Sequence, residues 1–94
     1  MRLEVSFQAD RDLGQVYADG YLKFGAKRAD RYLLGLTEAI ERLVEFPFAN
    51  RLLSEFNPPL RCHQFRAHLV FYRVDDDTVR VIRIRHGREA SIRD

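Results

Sequence analysis

Residues 68–88 read HLVFYRVDDDTVRVIRIRHGR, and this stretch predicts two adjacent β-strands joined by a short turn. Segments 69–74 and 78–85 are rich in β-branched and aromatic residues, which favour strands. The triplet Asp75-Asp76-Asp77 between them supplies side chains that form local hydrogen bonds in turns. Because segment 61–66 is the preceding candidate strand, we expect the C-terminal half of the chain to form an antiparallel meander.

The side-chain alternation of the last strand leaves its orientation open. We expect Ile82 and Ile84 to face the core, because side chains in a strand alternate between the two faces. That choice sends four residues to the opposite face: Val79, Val81, Arg83 and Arg85. The same parity rule allows Val79 and Val81 to take the core instead.

Upstream of the meander, the sequence predicts a short strand followed by two helices. Residues 3–7 alternate apolar and polar side chains, and Ser6 is placed to cap the helix that follows. Apolar residues then recur at helical spacing, and Gly25 is a plausible stop for this first helix. The residues of that apolar face are Leu13, Val16, Tyr17, Tyr21 and Phe24.

A second amphipathic helix of about five turns is predicted from Ala29 to Val44, and Pro47 ends it. With only Gly25 between them, the two helices should form an antiparallel hairpin that packs on the sheet. The predicted fold is α+β, in the order β-α-α-β-β-β, with the hairpin on one face of a small, mainly antiparallel sheet. We expect the other face to stay open, and residues 47–60 to be irregular.

The composition predicts one soluble domain over residues 1–94, with an apolar fraction of 46% and a net charge of +2. Of the 16 basic residues only Lys23 and Lys27 are lysines, so arginine contacts to carboxylates or phosphates are favoured. Cys62 is the single cysteine, which suits a reducing cytoplasm. No apolar run is long enough to span a membrane. We therefore expect no membrane contact, and we expect no cofactor. We also expect no metal site, because the three histidines lack partners at ligand spacing.

The ordered set of motifs resembles the RelE/ParE toxin family, and its ParE branch in particular. The motif Ala9-Asp10-x-Asp12-Leu13 opens the first helix, and a glycine precedes the second. Residues 68–74 resemble the pattern of a histidine, two aliphatics and an aromatic pair. The basic strand that follows closes on His86-Gly87-Arg88. The similarity covers nearly the whole chain.

Membership of the ParE branch implies a toxin of a type II toxin-antitoxin system that inhibits DNA gyrase by direct binding. It also implies a ParD-like antitoxin whose acidic and apolar tail wraps the toxin in a hetero-oligomer. Contact with operator DNA is then indirect, through the antitoxin.

The basic last strand and the aromatic residues of the hairpin, taken with the resemblance, predict two sets of binding residues. For the target they are Arg83, Arg85, His86 and Arg88. For the antitoxin they are Tyr17, Tyr21, Phe24, Tyr32, Arg83 and Arg85. Guanidinium groups suit an acidic tail or an acidic target surface. The alternative explanation is that these arginines only discourage edge-to-edge pairing of an exposed strand.

A ribosome-dependent mRNA endoribonuclease of the RelE type is the alternative function. Its candidate catalytic residues would be His68, His86, Arg61 and Arg85. Such a nuclease needs several cations around the phosphate and two proton-transfer groups. The chain departs from the RelE pattern, since Arg61 and His63 stand where a lysine pair is expected, Glu89 replaces a basic residue, and no tyrosine follows Tyr72. A toxin-like fold that has lost activity and serves only as a co-repressor is a third possibility.

Overall fold

The computed structural model describes residues 1–89, so residues 90–94 of the predicted domain lie outside the described part. Its elements are β1 (Arg2–Val5), α1 (Phe7–Phe24), α2 (Ala26–Arg42), β2 (Leu52–Leu53), β3 (Leu60–Phe65), β4 (His68–Asp75) and β5 (Thr78–His86), followed by one 3-10 turn (Gly87–Glu89). The predicted order β-α-α-β-β-β is confirmed, with one addition. The short strand β2 lies inside the segment that was expected to be irregular.

The strands form one mixed sheet in the order β1-β5-β4-β3-β2. The β2-β3-β4-β5 part is antiparallel throughout, as the meander predicted. The first strand pairs with the last one in parallel, from Arg2 opposite Thr78 to Val5 opposite Val81. Because β1 has only four residues, it covers only the first half of β5.

The ends of α1 follow local chemistry. Ser6 is the N-cap, and its hydroxyl accepts a hydrogen bond from the Ala9 backbone N–H at 3.0 Å. Gly25 ends the helix at φ 86°, a conformation that side chains disfavour, and α2 begins at the next residue. Both predictions from sequence are confirmed, and the single glycine sets up the tight helical hairpin.

The main core lies between the hairpin and one face of the sheet. Its buried members come from both layers: Ala9, Leu36, Ile40, Leu43, Val70, Tyr72, Val79, Val81 and Ile84. Gly35 lets the Phe65 ring lie directly on α2, because a Cβ at that position would come within 2.9 Å of the ring. This contact fixes the end of β3 against the second helix.

The predicted orientation of the last strand is wrong for Ile82 and right for Ile84. Val79 and Val81 are fully buried in the main core, whereas Ile82 packs in a cluster on the opposite face. The register shows the reason: Tyr72 pairs with Val81 and Phe71 with Arg83, so Ile82 is the extra residue of a β-bulge. A bulge interrupts strict alternation, and it therefore returns Ile84 to the helix face.

The opposite face of the sheet is partly covered, which corrects the expectation that it stays open. Leu53, Leu60 and Phe71 are buried there. The loop 54–59 contributes Phe56, whose ring lies 6.4 Å from the Phe71 ring in an edge-on arrangement. Residues 47–60, irregular in sequence, thus fold back as a small second cluster.

Candidate partner-binding groove

A groove of about 1060 Å³ opens between the helical hairpin and the far end of the β4-β5 ladder. Its walls are residues 12–24 of α1, residues 28–42 of α2, the turn at 65–68 and residues 83–86 of β5. The groove exists because β1 stops at Val5. Beyond that point the outer edge of β5 faces α1 instead of another strand.

Two polar residues of the first helical segment bond to the edge of β5 that β1 leaves uncovered. The Ser6 hydroxyl donates to the Ile82 carbonyl at 2.8 Å, at the bulge. The Asp12 carboxylate accepts from the Ile84 N–H at 2.9 Å and from Arg83 Nε at 2.8 Å. The Arg83 pKa is raised mainly by its hydrogen bond to Asp12. This pair ties α1 to β5 at the mouth of the groove.

An aromatic and imidazole cluster lies at the other end of the groove. His68 and His86 are cross-strand partners whose ring centroids are 5.2 Å apart. The Tyr32 hydroxyl, from α2, lies 2.7 Å from His68 Nδ1, and burial is the main cause of a raised Tyr32 pKa. His86 Nδ1 accepts a hydrogen bond from the Arg88 backbone N–H at 3.1 Å. The cluster joins α2, β4, β5 and the 3-10 turn.

The groove concentrates positive charge. Within residues 1–89, seven Lys and Arg side chains line it against three Asp and Glu, an excess of four, whereas the whole chain has a net charge of +2. Apolar side chains lie among the charges, and Phe24 and Leu34 are more than half exposed at 54% and 60%. A basic groove with exposed apolar walls suits an acidic chain that also carries apolar side chains.

Four of the six residues that were predicted to bind the antitoxin line this groove. Phe24 and Tyr32 line the groove, as do Arg83 and Arg85. Tyr17 and Tyr21 lie outside it: the Tyr17 hydroxyl donates to Asp30 at 2.7 Å, and the two tyrosine rings are 6.3 Å apart. Arg83 is already held by Asp12, so it contributes to the groove as part of an ion pair.

The predicted target-binding residues lie at one end of the sheet. Arg85 and His86 line the groove, and Arg88 follows on the exposed 3-10 turn. The candidate catalytic residues of the alternative nuclease do not all lie together. His68, His86 and Arg85 meet at the groove, but Arg61 donates to the Asn50 carbonyl at 2.6 Å and packs over Phe48 in a separate depression.

His63 and Cys62 point to opposite faces of β3, as alternation requires. His63 lies near Asn50 with a pKa lowered by burial and by the charge of Arg42. Cys62 packs in the second cluster, and burial raises the pKa of its thiol. Neither residue lines the groove.

Sequence reasoning missed Asp12 as an anchor for β5, and it missed several basic residues of the groove. In the sequence Asp12 stands out only as part of the motif that opens the first helix. Nothing in the sequence marks Arg28, Arg31 or Arg66, since periodicity indicates an exposed position without saying which element faces it. Arg66 has a positive φ of 49° in the β3-β4 turn. The sequence signal that could have identified Arg66 is its position next to His68, which places it at the same end of the sheet as the candidate site.

The part of the chain that the structure describes holds no candidate metal site and no membrane-spanning helix. In residues 1–89 no three His, Cys, Asp or Glu side chains come together as a candidate metal-binding group. No helix in that range has the length and apolar character needed to cross a lipid bilayer.

The fold and the groove define a small α+β domain: a helical hairpin on a five-stranded sheet with a basic, apolar-walled groove. Residues 3–91 match the family model described as the ParE toxin of the type II toxin-antitoxin system, parDE. The chain therefore belongs to the ParE family, and it is a toxin component of a type II toxin-antitoxin system.

One curated relative supports the same placement, and one solved structure shares the fold. Toxin ParE3 of Caulobacter vibrioides is 32% identical over 77 residues, which cover 82% of this chain and 77% of that protein. The fold is similar to a chain of the chromosomal ParDE TA system from P. aeruginosa, with a TM-score of 0.80 and 23% identity. That match covers 92% of this chain and 95% of the other.

Proposed function

We propose that this toxin inhibits DNA gyrase by direct binding in the cytoplasm and is neutralised by a ParD-like antitoxin that occupies the groove. Family membership supports an antitoxin partner, and the similar structure is that of a ParDE system. The single observation that carries the proposal is the excess of four positive charges in a groove with exposed apolar walls. An amphipathic, acidic segment fits such a groove as a helix lying along it.

Gyrase binding is assigned to the end of the sheet, at Arg85, His86 and Arg88. Arg85 and His86 also line the groove, so a bound antitoxin covers them. Neutralisation then follows from occlusion: the antitoxin and gyrase compete for the same surface. Operator DNA is contacted through the antitoxin.

The test measures linear plasmid produced by purified gyrase in the presence of the toxin. We expect Arg85→Glu to lower the potency of the toxin by about tenfold or more, since reversal of an interfacial charge costs on the order of 2 kcal/mol. Arg11→Glu is the matched control, because it makes the same charge change on α1 outside the groove. Equal potency of the two variants would refute the assigned surface, and wild-type toxin without effect on gyrase would refute the target.

A ribonuclease is the second candidate, favoured by one observation: Tyr32, His68 and His86 meet in a groove that Arg85 also lines. Titratable groups beside arginines are the parts that phosphodiester cleavage needs. Against it, Arg61 lies in a separate depression. Induction in cells separates the candidates. Arrest of translation with cleaved transcripts, abolished by His68→Ala, identifies the nuclease, whereas a DNA-damage response identifies the gyrase inhibitor.

A further inference from the structure

The ion pair between Asp12 and Arg83 carries an inference that rests on the proposed antitoxin complex. We infer that Asp12 is a positioning residue: it holds the Arg83 guanidinium so that the outer edge of this group binds one carboxylate of the antitoxin through two parallel hydrogen bonds. The partner chemistry is thus an Asp or Glu side chain on the peptide that fills the groove. Although Asp12 is itself acidic, its removal should weaken the binding of an acidic partner.

The hydrogen bonds of Arg83 leave one edge of its guanidinium available. Arg83 Nε donates to Asp12 Oδ2 at 2.8 Å, and Arg83 Nη2 donates to Asp12 Oδ1 at 3.3 Å. Within residues 1–89, Arg83 makes its side-chain hydrogen bonds to Asp12 alone. A guanidinium has five N–H donors in a planar fork, so this side-on pair uses two of them and leaves three. Two of the remaining donors, one on each Nη atom, lie parallel along the outer edge, which is the geometry that a carboxylate accepts.

Asp12 is also fixed to the sheet, so it can hold the guanidinium in one place. Its Oδ2 accepts the Ile84 backbone N–H at 2.9 Å, which ties the carboxylate to β5. The side chains of Asp12 and Arg83 are only 17% and 21% exposed. An arginine held in this way loses little conformational freedom when a partner binds, whereas ordering a mobile side chain lowers the affinity by about threefold to tenfold.

The surroundings of the pair favour a carboxylate at the outer edge of Arg83. Asp12 and Arg83 both line the groove at its mouth, where α1 meets β5. Asp12 offsets the charge of Arg83, but the groove as a whole keeps an excess of four positive charges within residues 1–89. A second carboxylate at this position therefore meets a positive environment, and the fork determines where along the groove it binds.

The direction of the effect separates positioning from net charge. Asp12→Asn raises the positive excess of the groove by one, so a groove that acts only through its charge would bind an acidic antitoxin more tightly. If Asp12 positions Arg83, the same variant binds more weakly, because an asparagine has one acceptor oxygen instead of two and no charge. Asp19→Asn is the matched control. Asp19 also lines the groove, but its carboxylate bonds to Gln15 of the same helix rather than to an arginine.

The experiment measures the binding kinetics of the full-length toxin on the immobilised antitoxin that is encoded with it. We expect Asp12→Asn to raise the dissociation rate about threefold to tenfold. Asp19→Asn should leave the dissociation rate unchanged and raise the association rate, because steering depends on net charge. A purely structural role of Asp12 would lower the fraction of toxin that binds and leave the dissociation rate unchanged, and thermal unfolding of each variant measures its stability separately.

A second pair of variants tests the fork itself. Arg83→Lys keeps the charge but has no planar fork, so it should raise the dissociation rate about tenfold or more. Arg31→Lys, the same exchange at another residue of the groove, should have a smaller effect. Adding Asp12→Asn to Arg83→Lys should cause no further loss, because a lysine offers no fork to position. This pair decides the question even if Asp12→Asn alone fails to fold.

Four results overturn the inference. The two Asp→Asn variants change the dissociation rate alike; or Arg83→Lys and Arg31→Lys weaken binding equally; or the losses of Asp12→Asn and Arg83→Lys add in the double variant; or a single-stranded oligonucleotide binds more tightly than the antitoxin and loses affinity in Arg83→Lys, which would assign the fork to a phosphate. Wild-type toxin that does not bind the antitoxin overturns the proposed function, and the inference with it.

Discussion

The two halves of β5 have similar sequences and different surroundings. Residues 78–81 lie between β1 and β4, and Val79 and Val81 are fully buried. Residues 82–86 have β4 on one side only, and their other edge faces α1 across the groove. The half that is enclosed on both sides buries Val79 and Val81, whereas the half with an uncovered edge buries Ile84 and also presents Arg85 and His86 to the groove. Because β1 ends opposite Val81, its length sets the point along β5 where the enclosed half ends and the half that lines the groove begins.

The largest difference in stability is expected when the same charge is placed in each half of β5. Val81→Asp buries a carboxylate with no partner in the main core, and we expect it to lower the free energy of unfolding by about 4 kcal/mol or more. Arg85→Asp, in the second half, should lower it by less, because Arg85 lines the groove and is not buried in the core. Urea denaturation followed by circular dichroism measures both. Similar losses in the two variants would show that the halves do not differ as described.

A weaker perturbation removes the anchor of the second half. Asp12→Ala leaves the Arg83 guanidinium and the Ile84 N–H without their acceptor in a site where both ion-pair side chains are about four-fifths buried. We expect a loss of about 2 to 3 kcal/mol in stability. A double-mutant cycle with Arg83→Met isolates the pair, and the two losses should not add. Full additivity in that cycle would mean that the pair does not couple α1 to β5.

The smallest expected effect is at the residue where the two halves meet. Ser6 caps α1 and bonds to the Ile82 carbonyl at the bulge. Ser6→Ala should cost about 1 kcal/mol, the usual value of a lost N-cap. Ser6→Asp keeps the cap but cannot donate to the carbonyl at neutral pH. If Ser6→Asp is as stable as wild type in urea denaturation, the contact at the bulge contributes little.

Much of the fold could be predicted from local pattern. The N-cap bond of Ser6, the helix stop at Gly25 and the turn at the aspartate triplet each join residues only a few positions apart, so all three were visible in the sequence. The strand β2 was not, because two leucines next to a proline-containing loop carry no periodicity. The bulge at Ile82 was also hidden, since alternation alone cannot show where one extra residue interrupts it.

The candidate site was predicted less completely. The basic end of β5 and the aromatic residues Phe24 and Tyr32 were identified, but Tyr17 and Tyr21 share their helical period and lie elsewhere. Periodicity assigns a face of a helix and does not say what covers each part of that face. His68 and His86 were both identified as candidate catalytic residues, but their contact depends on the register of β4 against β5, which the sequence does not show.

Periodicity, capping and turn chemistry in the chain were enough to specify the order of elements and the helical hairpin, because those interactions span only a few residues. Tertiary structure decided the groove. Asp12 and Arg83 are 71 positions apart, and they meet only because a four-residue first strand joins the far edge of the sheet and stops before β5 does. The opening of the groove follows from that mismatch in strand length, whereas the imidazole pair follows from the register of β4 against β5.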